Sequence, residues 1–159
     1  MTNESLVAVV AAGNDRFGEK HSIGNNFSRI KVGTADTGGR LFVAENVLNQ
    51  KLGPPRHLHH DQDEWFLVLE GKFLFEVGDQ KFTLQSGDSL LGPRRIPHVW
   101  AFTGNGTGRL LVTFAPAGKV EAFFREVSSP GGRPPNDPKL WSEHGMELLG
   151  PPLLAPLLV

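Results

Sequence analysis

From Phe27 onward the chain is a succession of short apolar runs, each closed by Gly, Asp or Pro, and this rhythm constrains the fold more than any other feature. "FSRIKV" and "RLFVAENVL" come first, joined by "GTADTGG", whose Gly38-Gly39 pair suits a hairpin turn. "EWFLVLEG", "KFLFEVGDQ", "KFTLQSGD", "SLLGP", "HVWAFTGNGTG" and "RLLVTFAP" follow. Strand-like runs about 8–12 residues apart, with turn signals between them, predict a sandwich or small barrel. The 19 Gly and 12 Pro agree, since average usage would supply roughly 19 of the two together. We therefore expect an all-β domain, and 159 residues suffice for one core without disulfide staples.

The two ends read differently. The first two dozen residues have no firm periodicity and are expected to form an irregular arm or a loose edge strand. Residues 1–40 then hold the arm and first strands, 41–116 the barrel, and 117–159 a helical extension and tail. In "KVEAFFREV", Val120, Phe123, Phe124 and Val127 fall at i, i+3, i+4 and i+7, one face of a helix. After the linker "SSPGGRPPNDP", Asp137 can cap a second short helix with Pro138 at its first position and Gly145 past its end. "GPPLLAPLLV" has too many prolines for a helix and too many leucines for a solvated end, so it is expected to lie across the barrel or a partner subunit.

Composition removes several classes of function. A net charge of −1 leaves no electrostatic footprint for nucleic acid or an anionic membrane. With no cysteine there are no disulfides, thiolate ligands or cysteine nucleophiles, which fits a reducing, cytoplasmic setting. The apolar run Leu6 to Ala12 is too short to span a bilayer. No Gly-rich phosphate loop, Ser-His-Asp order or dinucleotide fingerprint occurs. The expected partner is a small molecule. A homodimer is also expected, because an exposed sheet edge and a Leu/Pro tail need cover.

Chemistry concentrates in "PPRHLHHDQDE", residues 54–64, which hold three of the six histidines and three carboxylates. In a strand, residues two apart share a face, so His57 and His59 point together while Leu58 and His60 point away. A turn at "HDQD" would fold Glu64 back beside the two histidines. Two imidazoles and a carboxylate can occupy one face of a metal's octahedron. A fourth candidate, His98 in "GPRRIPHVWAF", opens an apolar strand where a surface histidine would be out of place.

Gly53, His57-x-His59, four residues, Glu64, six residues and Gly71 resemble the first motif of the cupin superfamily. Gly87, five residues, Pro93 and then His98 resemble the second, with fifteen residues between Gly71 and Gly87. The lead glycine stands closer to His57 than in the usual pattern, Arg95 replaces a glycine, and Phe102 replaces the closing asparagine. None of these is a metal ligand. The flanks resemble single-domain, quercetin-dioxygenase-like cupins of the cupin_2 type. The resemblance implies a small β-barrel (the double-stranded β-helix or cupin jelly roll) with short C-terminal helices. It implies His57, His59, Glu64 and His98 as ligands of a divalent transition metal, with two positions left for substrate, water or dioxygen. Without thiolates the set suits Fe, Mn, Ni, Cu, Co or Zn.

Other conspicuous residues have plainer readings. His60 turns outward, and Asp61 and Asp63 solvate the loop unless one orients a ligand imidazole. Arg94 and Arg95 are exposed loop arginines, and His21 and His144 receive no role. Phe66, Phe73, Phe75, Phe82, Trp100 and Phe102 are core residues, some of which would line a pocket around the metal. The absence of tyrosine argues against an epimerase with a Tyr acid and, with no cysteine, excludes a Cys–Tyr crosslinked thiol dioxygenase. Two functions follow. One is a metal-dependent dioxygenase-like enzyme acting on a small aromatic or enol substrate, with Glu64 as base. The other is a non-enzymatic small-molecule-binding cupin with a structural or ligand-capturing metal, or a metal-dependent isomerase.

Overall fold

The computed structural model describes residues 7–154. It contains β1 (His21–Ile23), β2 (Asn26–Val32), β3 (Phe42–Leu48), β4 (Pro55–His59), β5 (Asp63–Glu70), β6 (Lys72–Val77), β7 (Gln80–Gln85), β8 (Ser89–Gly92), β9 (His98–Phe102) and β10 (Gly108–Ala115). Two helices, α1 (Val120–Ser128) and α2 (Pro138–Glu143), and a last strand, β11 (Met146–Pro152), follow. The strands form a six-stranded sheet ordered β1-β2-β3-β10-β5-β8 and a five-stranded sheet ordered β11-β4-β9-β6-β7. From β4 on, the chain passes repeatedly between the sheets, which is the jelly-roll form of the expected barrel.

The core follows from alternation. In β10, Leu110, Val112 and Phe114 are buried, while Arg109, Leu111 and Thr113 between them stay half-buried on the outer face. Phe66 of one sheet meets Phe75 of the other edge-on at 5.0 Å, and Phe73 packs on Phe102 at 5.4 Å. Each such burial contributes roughly 1.5–3 kcal/mol relative to exposure. Phe82 departs from the core expected of it. It is 37% exposed, because β7 is an edge strand with most of its residues open to solvent.

The turn between β2 and β3 is wider than a two-residue hairpin. A 3₁₀ turn, Thr34–Thr37, precedes Gly38 and Gly39, which close it at φ of +63° and +84°. In α1, Val120 and Phe123 are buried, with Phe124 and Val127 packed beside them. Asp137 caps α2 by accepting from the Lys139 N–H, with Pro138 in the first turn. Phe123, Leu140, Trp141 and Met146 form a second apolar cluster. The tail continues as β11, which pairs antiparallel with β4 through Met146–His59 and Leu148–His57. The end of the expected Leu/Pro tail, residues 155–159, lies outside the described residues.

Candidate metal centre

β4 brings His57 and His59 inward, both nearly fully buried, and turns His60 outward to face Glu147 at 3.7 Å. β9 lies antiparallel beside it with His98 directly opposite His57, the ring centroids 4.5 Å apart. Glu64 arrives from the other sheet, because the chain crosses between sheets at residues 60–62 instead of forming a hairpin. A backbone contact sets the approach to β4. A Cβ on Gly53 would overlap the Trp100 carbonyl oxygen, so only glycine lets the chain lie this close to β9.

One ligand atom from each of His57, His59, Glu64 and His98 falls within 4.8 Å of all the others. His59 Nε2 and His98 Nε2 each lie 3.0 Å from Glu64 Oε2. Yet all three atoms are buried without a hydrogen-bond partner among the described residues, since the contacts miss hydrogen-bond geometry. Orphaned buried polar atoms are costly. Donors that converge without bonding one another fit a cation placed between them, and three imidazoles with a carboxylate are a borderline N/O set suited to first-row metals.

Two ligands are oriented from behind. His57 Nδ1 donates to the Pro55 carbonyl at 2.7 Å, and His59 Nδ1 donates to Gln62 Oε1 at 3.1 Å. Each leaves Nε2 as the ligand atom, the arrangement that fixes tautomer and ring angle in metal sites. Gln62 is itself buried and held by donating to the carbonyls of Pro116 and Ala117. The sequence reading looked for this partner in Asp61 or Asp63. Both instead face arginines on the outside, Asp63 pairing with Arg94 at 3.1 Å and Asp61 lying 3.8 Å from Arg95. The signal for Gln62 was a polar side chain at the sheet crossing, two residues before Glu64. His98 has no hydrogen-bond partner on either ring nitrogen among the described residues, and it is placed by β9 and by Phe66 edge-on at 5.7 Å.

Electrostatics prepare the set for a cation. Burial, with His98 and His59 alongside, pushes His57 well below the usual imidazole range, so it stays neutral with a lone pair to give. Burial pushes the Glu64 carboxyl up, but His59 and His98 outweigh it and hold the group below the usual carboxylate range. Glu64 is therefore ionised.

The cluster borders a cavity of about 340 Å³, within the size range of small-molecule sites. Trp100, Val112 and Phe114 continue its wall inside the barrel, and Phe123, Phe124 and Trp141 close it from α1 and α2. Trp141 packs on the His57 ring with centroids 4.6 Å apart. Of the aromatics expected to line a pocket, Trp100 does so; Phe66, Phe73, Phe75 and Phe102 sit behind the wall, and Phe82 lies on the exposed edge strand. His21, which the sequence left without a role, is buried and lines the same cavity.

Residues 46–114 match the model of the cupin domain family, Cupin_2. The chain is 26% identical over 115 residues to quercetin 2,3-dioxygenase of Bacillus subtilis, an alignment covering 71% of this chain and 33% of that protein. It thus spans about a third of that relative's length. The structure aligns with a protein from Thermotoga maritima described as a predicted oxalate decarboxylase, with TM-score 0.61 and 16% identity over 69% of this chain and 99% of that one. It also aligns with KdgF from Halomonas sp., with TM-score 0.58 and 17% identity over 69% and 94%. At these identities the structural likenesses show the fold.

Proposed function

Since the chain belongs to the cupin superfamily, we propose that it is a metal-dependent, dioxygenase-like enzyme acting on a small aromatic or enol substrate. One observation carries the reading: four buried, converging N/O donors stand at the side of an apolar, aromatic-walled cavity. His57, His59, Glu64 and His98 would hold the metal. When bound, a divalent transition metal supplies a Lewis acid to an enol or phenol oxygen and, if redox-active, a centre for dioxygen chemistry. The protein's own part is positioning and exclusion. Trp100, Phe114, Phe123 and Trp141 offer flat apolar surfaces to a planar ring and keep bulk water from it. Glu64, ionised and beside the cavity, would accept the proton of an acidic enol or phenol hydroxyl on leaving its ligand role. The likeness to the Bacillus quercetin dioxygenase supports an aromatic substrate of flavonol type.

The test begins with anaerobic protein loaded with Fe(II), Mn(II) or Ni(II). Adding a flavonol or catechol is expected to shift its visible spectrum, and admitting air to start oxygen consumption. Glu64→Gln keeps the shape but not the base, so it is expected to slow turnover more than it weakens binding. Binding without oxygen uptake under every metal would favour the non-enzymatic binding alternative; conversion without oxygen uptake would favour the isomerase.

Assembly as a homodimer is part of the same proposal. Trp65 and Leu91 stand opposite each other on the outer face of the six-stranded sheet, 38% and 59% exposed, and such a surface is commonly covered by a second copy. Light scattering at micromolar concentration is expected to give twice the chain mass; a monomer throughout would contradict it.

A further inference from the structure

Besides the metal ligands, the largely apolar cavity wall carries polar residues, and three of these stand side by side on adjacent strands. His21 pairs in register with Ser28, and Ser28 with Asn46, across β1, β2 and β3. Cross-strand partners share a face, and all three side chains line the cavity. The next position in the row, Leu110 on β10, is fully buried and apolar. Apart from Glu64, the row is therefore the polar break in a hydrophobic inner face of this sheet.

Its hydrogen bonding is incomplete. Ser28 Oγ donates to Asn46 Oδ1 at 2.6 Å, which commits the amide oxygen and leaves the amide N–H groups as donors. The His21 side chain is 8% exposed, and its Nε2 is buried with no hydrogen-bond partner among the described residues. Glu19 Oε2 lies 3.4 Å from that nitrogen and Asp15 Oδ1 lies 4.0 Å away, but both carboxylates are otherwise engaged. Glu19 is paired with Arg125 at 2.7 Å, and Asp15 accepts the Ile30 N–H at 2.6 Å. On the other ring edge, Ser128 Oγ is 3.5 Å from Nδ1 and is committed at 2.7 Å to the Phe124 carbonyl. The spare amide donors of part-buried Asn46, with Ser28 and the buried His21 ring beside it on the cavity wall, are what a ligand's polar group completes.

Register places this row well away from the metal ligands. Glu64 is level with Phe114 of β10, and Phe114 with Phe42 of β3. Asn46 lies four residues further along β3, an offset of roughly 13 Å at strand rise, and His21 is two strands beyond it. A single ring bound at the metal ligands is too short to reach it, whereas a planar molecule of two or three rings is not.

We infer that His21, Ser28 and Asn46 form a second recognition site, taking a hydroxyl or carbonyl at the far end of a multi-ring aromatic substrate whose other end faces His57, His59 and Glu64. The inference rests on the proposed aromatic substrate and narrows it to one that is polar at both ends.

The test compares 3-hydroxyflavone with its 4′-hydroxy derivative, which adds one hydrogen-bonding group at the distal ring. Binding is followed by quenching of Trp100 and Trp141, which line the cavity, in both metal-loaded and metal-free protein. The wild-type chain is expected to bind the 4′-hydroxy compound roughly tenfold more tightly, the scale of one well-made hydrogen bond. His21→Phe and Asn46→Leu should each bring that ratio close to one, and His21→Gln, which keeps a hydrogen-bonding end, should retain part of it. If wild type binds both flavonols equally, or if the preference survives in His21→Phe and Asn46→Leu, the inference is overturned while the proposed function stands. If neither flavonol binds under any metal, the aromatic substrate itself is wrong and the inference falls with it. The comparison of two ligands on unaltered protein keeps the test decisive even if a variant folds poorly.

Discussion

Two sides of one cavity are built by opposite means. On the ligand side, His57, His59, Glu64 and His98 project from strands of both sheets. Two of them are further fixed by hydrogen bonds to Pro55 and Gln62. On the helical side, Phe123, Phe124 and Trp141 are held by packing, with one side-chain anchor, the Trp141 indole N–H donating to the Pro135 carbonyl at 2.8 Å. Directional bonds hold an atom to a fraction of an ångström, whereas apolar packing holds a surface and tolerates change of shape. The ligand side should therefore govern metal and chemistry, and the helical side stability and fit to substrate.

The largest expected effect is loss of metal. His57→Ala, His59→Ala, Glu64→Ala and His98→Ala should each lower metal affinity by more than the roughly 10–100-fold typical of losing an orienting partner. His60→Ala should leave metal content as it was, because that ring faces Glu147 outside the barrel. Metal analysis of the five purified variants checks this. If His60→Ala empties the site and His57→Ala does not, the strand is out of register by one residue.

Trp141→Ala probes the other side. It removes a buried indole packed on both His57 and Phe123, and large-to-small changes of this kind cost about 3–5 kcal/mol. Thermal unfolding should shift downward markedly while the folded protein still binds metal and Trp141→Phe recovers most of the loss. Metal loss in folded Trp141→Ala would show that the two sides are not separable, and that the indole positions the His57 ring.

Gln62→Leu sharpens the comparison on the ligand side itself. It removes the acceptor for His59 Nδ1 without touching a ligand atom, and metal affinity should fall roughly 10–100-fold in competition with a chelator. It also strips the Pro116 and Ala117 carbonyls of a donor, so some stability is lost too. Asp63→Asn, one residue away, should leave affinity unchanged, since Asp63 pairs with Arg94 at the exterior.

The same contrast explains what was legible before the structure. The ligand side rests on period-two alternation and short fixed spacings: alternation paired His57 with His59, and the resemblance to the cupin motifs joined Glu64 and His98 to them. The barrel was legible for a related reason, since most of its strands announce themselves by a local apolar run and a turn. The helical wall was not, because α1 reads as amphipathic and α2 from its capping residues, and neither signal reveals which part of the barrel is covered. Gln62 was passed over because a glutamine in a polar loop has no period to betray burial, and His21 because β1 is only three residues long. Phe82 was misjudged because alternation does not say whether a strand lies at an edge.

The smallest expected effect tests how tightly the corner behind His59 is held. Arg95 stands where a glycine is usual in the resembled motif, and it is the one non-glycine among the described residues with positive φ, at +66°. That conformation costs a side-chain-bearing residue roughly 1–2 kcal/mol. The backbone needs it, since the Arg95 N–H donates to the His59 carbonyl at 2.7 Å and so ties the loop to the ligand strand. The side chain returns something through Nε, which donates to the His60 carbonyl at 3.1 Å. Arg95→Gly keeps the backbone bond and relieves the strain, but it adds freedom to the unfolded chain and loses the side-chain bond. The net should be a gain below about 1 kcal/mol, read as a small rise in melting temperature with metal affinity unchanged. Arg95→Ala retains the strained backbone and loses the hydrogen bond, so it should lower stability instead. The two substitutions moving in opposite directions would identify the conformation as the cost; both moving down would mean that the hold on His60 outweighs it.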